Sequence, residues 1–235
     1  MRRLYHLVAV GLFFVSLSAT SCAQKREVEK SNKPVPSMAV KLTKNNQLEI
    51  LKELGFTLND GIEISDITRW DGGKQAFEKP PFVLLYQTLG QTIEREPWTP
   101  LTNRCWDFDT EAIEDHGDYV AIIKNLERIS RGEIKFENLK DFVDVEKGKA
   151  WVSFRLNKVN YKWDLKVEDD WVDENLFSRL VRLTQTLKTK GKYTYFNTGG
   201  QSAVIGFETP EGRNAIIRAT GLKIEVALDP AEKLG

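Results

Sequence analysis

The chain has 235 residues, and its 34 lysines and arginines balance 34 aspartates and glutamates, so the formal net charge is zero. That balance lacks the clustered positive charge of a nucleic-acid-binding surface, and no nucleic-acid partner is expected. Two cysteines and two histidines exclude a dense disulfide framework and leave little scope for a histidine-rich metal site.

Arg2 and Arg3 are followed by an almost unbroken apolar run from Leu4 to Leu17, then by small residues from Ser18 to Ser21 that end at Cys22. A basic start, an apolar middle and a small-residue end form the pattern of an export signal, and the apolar run is too short to span a bilayer permanently. With a small residue directly before a cysteine, the segment resembles the lipobox of bacterial lipoproteins. The resemblance implies that residues 1–21 are a signal peptide, and that Cys22 is lipidated and becomes the new N-terminus. The protein would then be held in the cell envelope, at the outer membrane where the organism has one, because Ala23 rather than an aspartate follows. Several buried acyl chains, each methylene contributing about 0.8 kcal/mol, make such an anchor stable. Ser21 and Ala23 also satisfy the rule for ordinary secretory cleavage, which would leave a secreted or periplasmic soluble protein. With Cys22 modified, Cys105 is the only free thiol, so no intramolecular disulfide can form.

Residues 22–41 are rich in charge and carry Pro34 and Pro36, a composition that suits a disordered tether. A globular domain is expected over residues 42–229, with a short tail at 230–235. Leu48, Leu51 and Leu54 have helical spacing that stops at Gly55. Ile62, Ile64 and Ile67 suggest a short strand, Trp70 to Lys79 a loop, and Pro80 and Pro81 the opening of a helix through Leu89. Thr92 to Glu94 and Arg104 to Asp109 are candidate strands. Tyr119, Ile122, Ile123, Leu126 and Ile129 form an apolar helical stripe.

The C-terminal half is more regular. Val152, Phe154 and Leu156 alternate with polar residues, as do Tyr161, Trp163, Leu165 and Val167, and Asn157 to Asn160 joins them as a hairpin. Asp173 is placed to cap a helix carrying Leu176, Leu180, Leu183 and Leu187. Tyr193 to Phe196 and Ala203 to Phe207 read as strands around NTGGQS. Thr209 and Pro210 read as the start of a helix ending near Gly221, followed by a strand with Ile224, Val226 and Leu228. Hairpins mixed with amphipathic helices give an α+β fold, as one domain or as two small lobes divided near Lys147. The expected core contains Val152, Phe154, Leu156, Trp163, Leu165, Leu176, Leu180, Leu183, Val204 and Ile224.

Two acidic stretches are the candidate sites. WDFDTEAIEDHGDY, Trp106 to Tyr119, gathers seven acidic or histidine residues. On a strand, Asp107 and Asp109 would share a face and could act as a catalytic pair with His116, or hold a hard cation together with Glu111 and Asp118. A calcium loop starting at Asp107 would place Ala112 where the sharp turn needs glycine. The plainer reading is that Asp115 and Asp118 favour a helix N-terminus. No nucleophile elbow is present and Cys105 falls on a strand expected to be buried.

In the second stretch, Asp169, Asp170, Asp173 and Glu174 surround Trp171. An exposed tryptophan ringed by carboxylates would anchor a partner with a basic surface; alternatively, it folds back on Phe177 while Asp173 caps the helix. WDFDTEAIEDHGDYVAIIKNL and DDWVDENLF together resemble a group of bacterial proteins with no assigned activity, over about Leu48 to Leu228. That resemblance implies a single domain and carries over no site residue.

Export is the clearest signal and no catalytic motif is complete. The expected function is therefore a lipid-anchored, non-enzymatic protein-binding module of the envelope, in toxin neutralisation or envelope assembly, with no cofactor. The alternative is a carboxylate- or divalent-metal-dependent enzyme centred on residues 107–118.

Overall fold

Thr43 opens the first helix, α1 (Lys44–Glu53), by accepting from the Asn46 backbone N–H, and Gly55, at φ +89°, turns the chain away from it. The structure is a computed structural model that describes residues 42–68 and 73–227. The predicted signal, Cys22, the tether, Trp70, Leu228 and the C-terminal tail lie outside the described residues. Those described fall within one compact unit.

The expected strand at Ile62–Ile67 is instead a 3-10 turn, Ile64–Thr68. Asp66 accepts from the Glu63 N–H at 2.8 Å and starts the turn; only Ile67 is buried, while Ile64 is exposed. The two-residue step from Ile62 to Ile64 fits a strand, but the three-residue step from Ile64 to Ile67 fits a 3-10 turn and not a strand. Gly73–Ala76, expected as loop, forms a short helix, α2. The next helix, α3 (Val83–Leu89), begins after Phe82. Thr92–Glu94 makes an isolated bridge from Thr92 to Pro100 in place of a strand, because Pro97 and Pro100 have no N–H to donate to a ladder.

Helix α4 (Asp118–Ile129) buries Tyr119, Ile122, Ile123, Leu126 and Ile129, each worth roughly 1.5–3 kcal/mol when fully buried. The remaining elements are β1 (Cys105–Asp109), β2 (Glu137–Asp144), β3 (Lys149–Leu156), β4 (Val159–Leu165), α5 (Glu174–Gln185), β5 (Lys192–Asn197), β6 (Ser202–Glu208), α6 (Pro210–Thr220) and β7 (Glu225–Val226). They make an α+β fold with two antiparallel sheets, β1-β6-β5-β7 and β2-β3-β4. Asn157 and Lys158, both with positive φ, join β3 to β4, as a two-residue hairpin turn requires. Thr209 accepts from the Gly212 N–H, Pro210 starts α6 and Gly221, at φ +72°, ends it.

The four-stranded sheet is buried on both faces. Phe108, Tyr193, Ile205 and Phe207 enter one core with α4, α5 and the three-stranded sheet. Cys105, Phe196 and Val204 enter a second core with α1, α3 and α6. Of the expected core residues, Trp163 and Leu183 are only partly buried, and Arg179 lies over the Trp163 ring at 5.9 Å. The proposed lobe division near Lys147 falls in the turn of the β2–β3 hairpin, whose strands pair across it at Asp144 and Lys149. No domain boundary is made there.

An ion pair closes one end of β1 against β6. Arg104 Nη2 donates to Glu208 Oε2 at 2.8 Å, with the Glu208 side chain 3 % exposed. Burial pushes the Glu208 carboxyl pKa up, more than Arg104 and Arg131 pull it down. Among the described residues, Arg104 Nε, Glu208 Oε1 and the nearby Thr194 Oγ1 have no hydrogen-bond partner.

Candidate functional site

The acidic stretch from Trp106 is pulled apart by the fold. Asp107, in the middle of β1, is partly buried, and its Oδ2 accepts from the side-chain amides of Gln87 at 3.4 Å and Gln91 at 3.2 Å. Burial raises its pKa, and the two amide bonds offset part of that. Asp107 lines a depression of 490 Å³ with Thr88, Gln91, Thr92 and Glu94; neither Asp109 nor His116 lines it. Asp109 is exposed, its Oδ1 accepting from the Glu111 N–H at 3.0 Å and from Gln201 at 3.4 Å. The same Gln201 amide donates to Glu111 Oε2 at 2.7 Å.

Asp118 is occupied by backbone: its Oδ2 accepts from Glu114 and Asp115 N–H at 2.7 and 2.8 Å. His116 packs against Phe142 on β2, ring centroids 4.8 Å apart, and lies 2.9 Å from Asp115 Oδ1. The His116 backbone N–H and ring hold the Asp115 pKa below its ordinary value. Among the described residues, no three His, Cys, Asp or Glu side chains form a group able to hold a metal ion. Of the carboxylates proposed as ligands, Asp109 and Glu111 share the Gln201 amide, while Asp107 is held by Gln87 and Gln91 and Asp118 by the Glu114 and Asp115 N–H groups, so the four do not converge. Cys105 is buried and its thiol pKa is pushed up by that burial, which suits a packed residue and not a nucleophile.

The second stretch is arranged differently. Asp173 is 5 % exposed and caps α5, its two oxygens accepting from Asn175 and Lys166 N–H at 2.8 Å each. Its own N–H donates to the Tyr119 hydroxyl at 3.3 Å. Trp171 does not fold onto Phe177. It keeps 41 % exposure, while Phe177 stacks on Phe108 with centroids 6.2 Å apart. Asp169, at φ +53°, turns the chain just before it, a conformation that aspartate tolerates better than most residues.

The two acidic stretches meet. Glu111 and Trp171 form a bridge; Ala112 and Ile113 N–H both donate to the Asp170 carbonyl at 3.0 and 2.9 Å, and Val172 N–H donates to Thr110 O at 2.9 Å. This stitching brings the exposed Glu111, Glu168, Asp169 and Glu174 beside Trp171. Among the residues lining the depression of 310 Å³ beside the ring, Lys166 is the one cation, and it is paired with Glu168. Beside this depression lies a smaller pit of 130 Å³, lined mainly by Phe108, Ile122, Val172, Leu176 and Phe177, with Thr110, Asp173 and Glu174 as its polar members. Sequence reading missed the pit, because its walls come from β1, α4 and α5 and leave no local pattern.

Among the described residues, no helix is long and apolar enough to cross a membrane. Comparison of the chain with protein-family models, with curated proteins and with solved structures finds no match.

Proposed function

We propose that this chain is an exported, lipid-anchored envelope protein that binds another protein, of basic surface, through the face centred on Trp171. The observation that carries the reading is a tryptophan, Trp171, left 41 % exposed on a backbone-stitched turn among carboxylates. Large exposed apolar groups rimmed by charge mark contact surfaces, and tryptophan is enriched among the residues that dominate binding. Net positive charge on the partner would speed encounter and fix its orientation. The enzyme alternative lacks comparable support, since Asp107, Asp109 and His116 do not line one depression.

A photo-crosslinking amino acid placed at position 171 in producing cells tests the binding face, with Val159, 51 % exposed at the start of β4, as control. Adducts are expected from position 171 alone, and Asp169→Asn with Asp170→Asn should suppress them. Equal adducts from both positions, or adducts indifferent to the two aspartates, would remove the assignment. Anchoring is read separately from the intact mass of the membrane fraction: a mature chain starting at Gln24 without acyl mass would refute the lipid anchor.

A further inference from the structure

We infer that the 130 Å³ pit beside Trp171 is a subsite for one aliphatic side chain of a basic partner segment, a leucine- or methionine-sized group flanked by lysine or arginine. The inference rests on the proposed binding face and adds a specificity element to it.

Phe108, Ile122, Val172, Leu176 and Phe177 supply most of the pit's wall; of its polar members, Thr110 Oγ1 donates to the Gln201 carbonyl and the Asp173 carboxylate is held by backbone N–H groups, so the surface left to a guest is mainly hydrocarbon and aromatic. Its volume approaches that of the roughly 150 Å³ apolar cavities that stay dry and take a benzene-sized guest. An isobutyl group fits that space; a short polar side chain would leave it unfilled and gain nothing from entering.

The rim decides what carries that side chain. Val172, Asp173 and Glu174 border both the pit and the Trp171 depression, and Glu168, Asp169 and Glu174 supply exposed carboxylates beside it. The Asp173 carboxylate is spent on two backbone N–H groups and is not part of the recognition. An acidic segment would be repelled by the rim, and an uncharged apolar segment would leave it unsatisfied. A cation adjacent to an aliphatic residue complements both parts at once.

Three synthetic peptides probe this: acetyl-Gly-Lys-Leu-Lys-Gly-amide, the same peptide with serine for leucine, and the same with glutamate for both lysines. The full chain, purified in detergent and labelled with fluorotryptophan, contains six tryptophans. Its Trp171 resonance is assigned by Trp171→Phe and followed by fluorine NMR. The lysine–leucine peptide should move that resonance and bind about tenfold more tightly than the serine peptide, the increment expected for partial burial of one leucine. The glutamate peptide should not bind. Val172→Phe, which fills the pit from its wall, should erase the tenfold preference between the leucine and serine peptides. If that variant disturbs the other tryptophan resonances, the peptide comparison alone decides. Equal affinities for leucine and serine peptides would overturn the subsite and leave the basic-partner reading standing. No response of Trp171 to either lysine peptide, or an equal response to the glutamate peptide, would overturn both.

Discussion

Replacing Gly90 by alanine separates two reasons for a glycine. It follows α3 at φ −76° and ψ −10°, a conformation that alanine adopts without strain, and on backbone entropy alone the change would stabilise by about 0.4–1 kcal/mol. The space argues the other way. A Cβ at this position would stand 2.4 Å from the Asp107 nitrogen and 2.9 Å from the Trp106 carbonyl carbon, and both atoms belong to a strand held on its far side by β6. Separating the chains would break the bond from Asp107 N–H to Gly90 O, now 2.8 Å. Overpacking costs about 1–3 kcal/mol and an orphaned buried donor about 1–3 kcal/mol, so after the entropic gain the net loss should be about 1–5 kcal/mol, centred on about 3 kcal/mol. Urea denaturation followed by tryptophan fluorescence measures it. Gly221→Ala is the control: at φ +72° with nothing within 4 Å of the added carbon, it should lose only about 1–2 kcal/mol from left-handed backbone strain. Gly90→Ala matching the parent in stability, or losing less than Gly221→Ala, would refute the close-approach argument.

Asp173→Ala should destabilise by about 2 kcal/mol in the same assay, since it leaves the Asn175 and Lys166 N–H groups without their acceptor; a loss under about 0.5 kcal/mol would mean that water replaces the cap. Because folding raises the Glu208 pKa, the native state holds that proton more tightly than the unfolded chain. Its contribution is therefore full below the ordinary carboxylate value and lost as pH rises through the raised one. Glu208→Gln should flatten this part of the stability profile, and parallel profiles for parent and variant would contradict it. Calcium, magnesium, manganese and zinc should leave the melting temperature unchanged. A stabilisation of about 2.7 kcal/mol at a hundred times the dissociation constant would restore a metal site at Asp107, Asp109, Glu111 and Asp118.

What was legible in the sequence follows from how far each signal reaches along the chain. The helices starting at Asp118, Glu174 and Pro210 carry their stripe or cap within a dozen residues, and the hairpin at Asn157 carries its turn in two. β2 gave no such signal. Of its residues only Val143 is fully buried, and Phe142 stacks on Trp151, centroids 6.3 Å apart, so ENLKDFVD reads as a charged loop. Burial of the central sheet on both faces was likewise illegible, because each strand shows alternation only when one side meets water. Within the candidate site, the capping role of Asp173 was local and readable. The meeting of Glu111 with Trp171 spans sixty residues of chain and was not. Asp141 shows the same limit: from β2 it accepts the Gly117 N–H at 2.9 Å and the Val120 N–H at 3.1 Å, capping α4 in place of the nearer acids.

The stitched turn that brings Glu111, Asp169 and Glu174 beside Trp171 holds like charges near one another in the unbound protein. Their mutual repulsion is screened by added salt, over a Debye length of about 10 Å at 0.1 M, so raising ionic strength relaxes the free domain at this corner. The same ions would weaken attraction for the proposed cationic partner, so added salt would act in opposite senses on the free domain and on that complex.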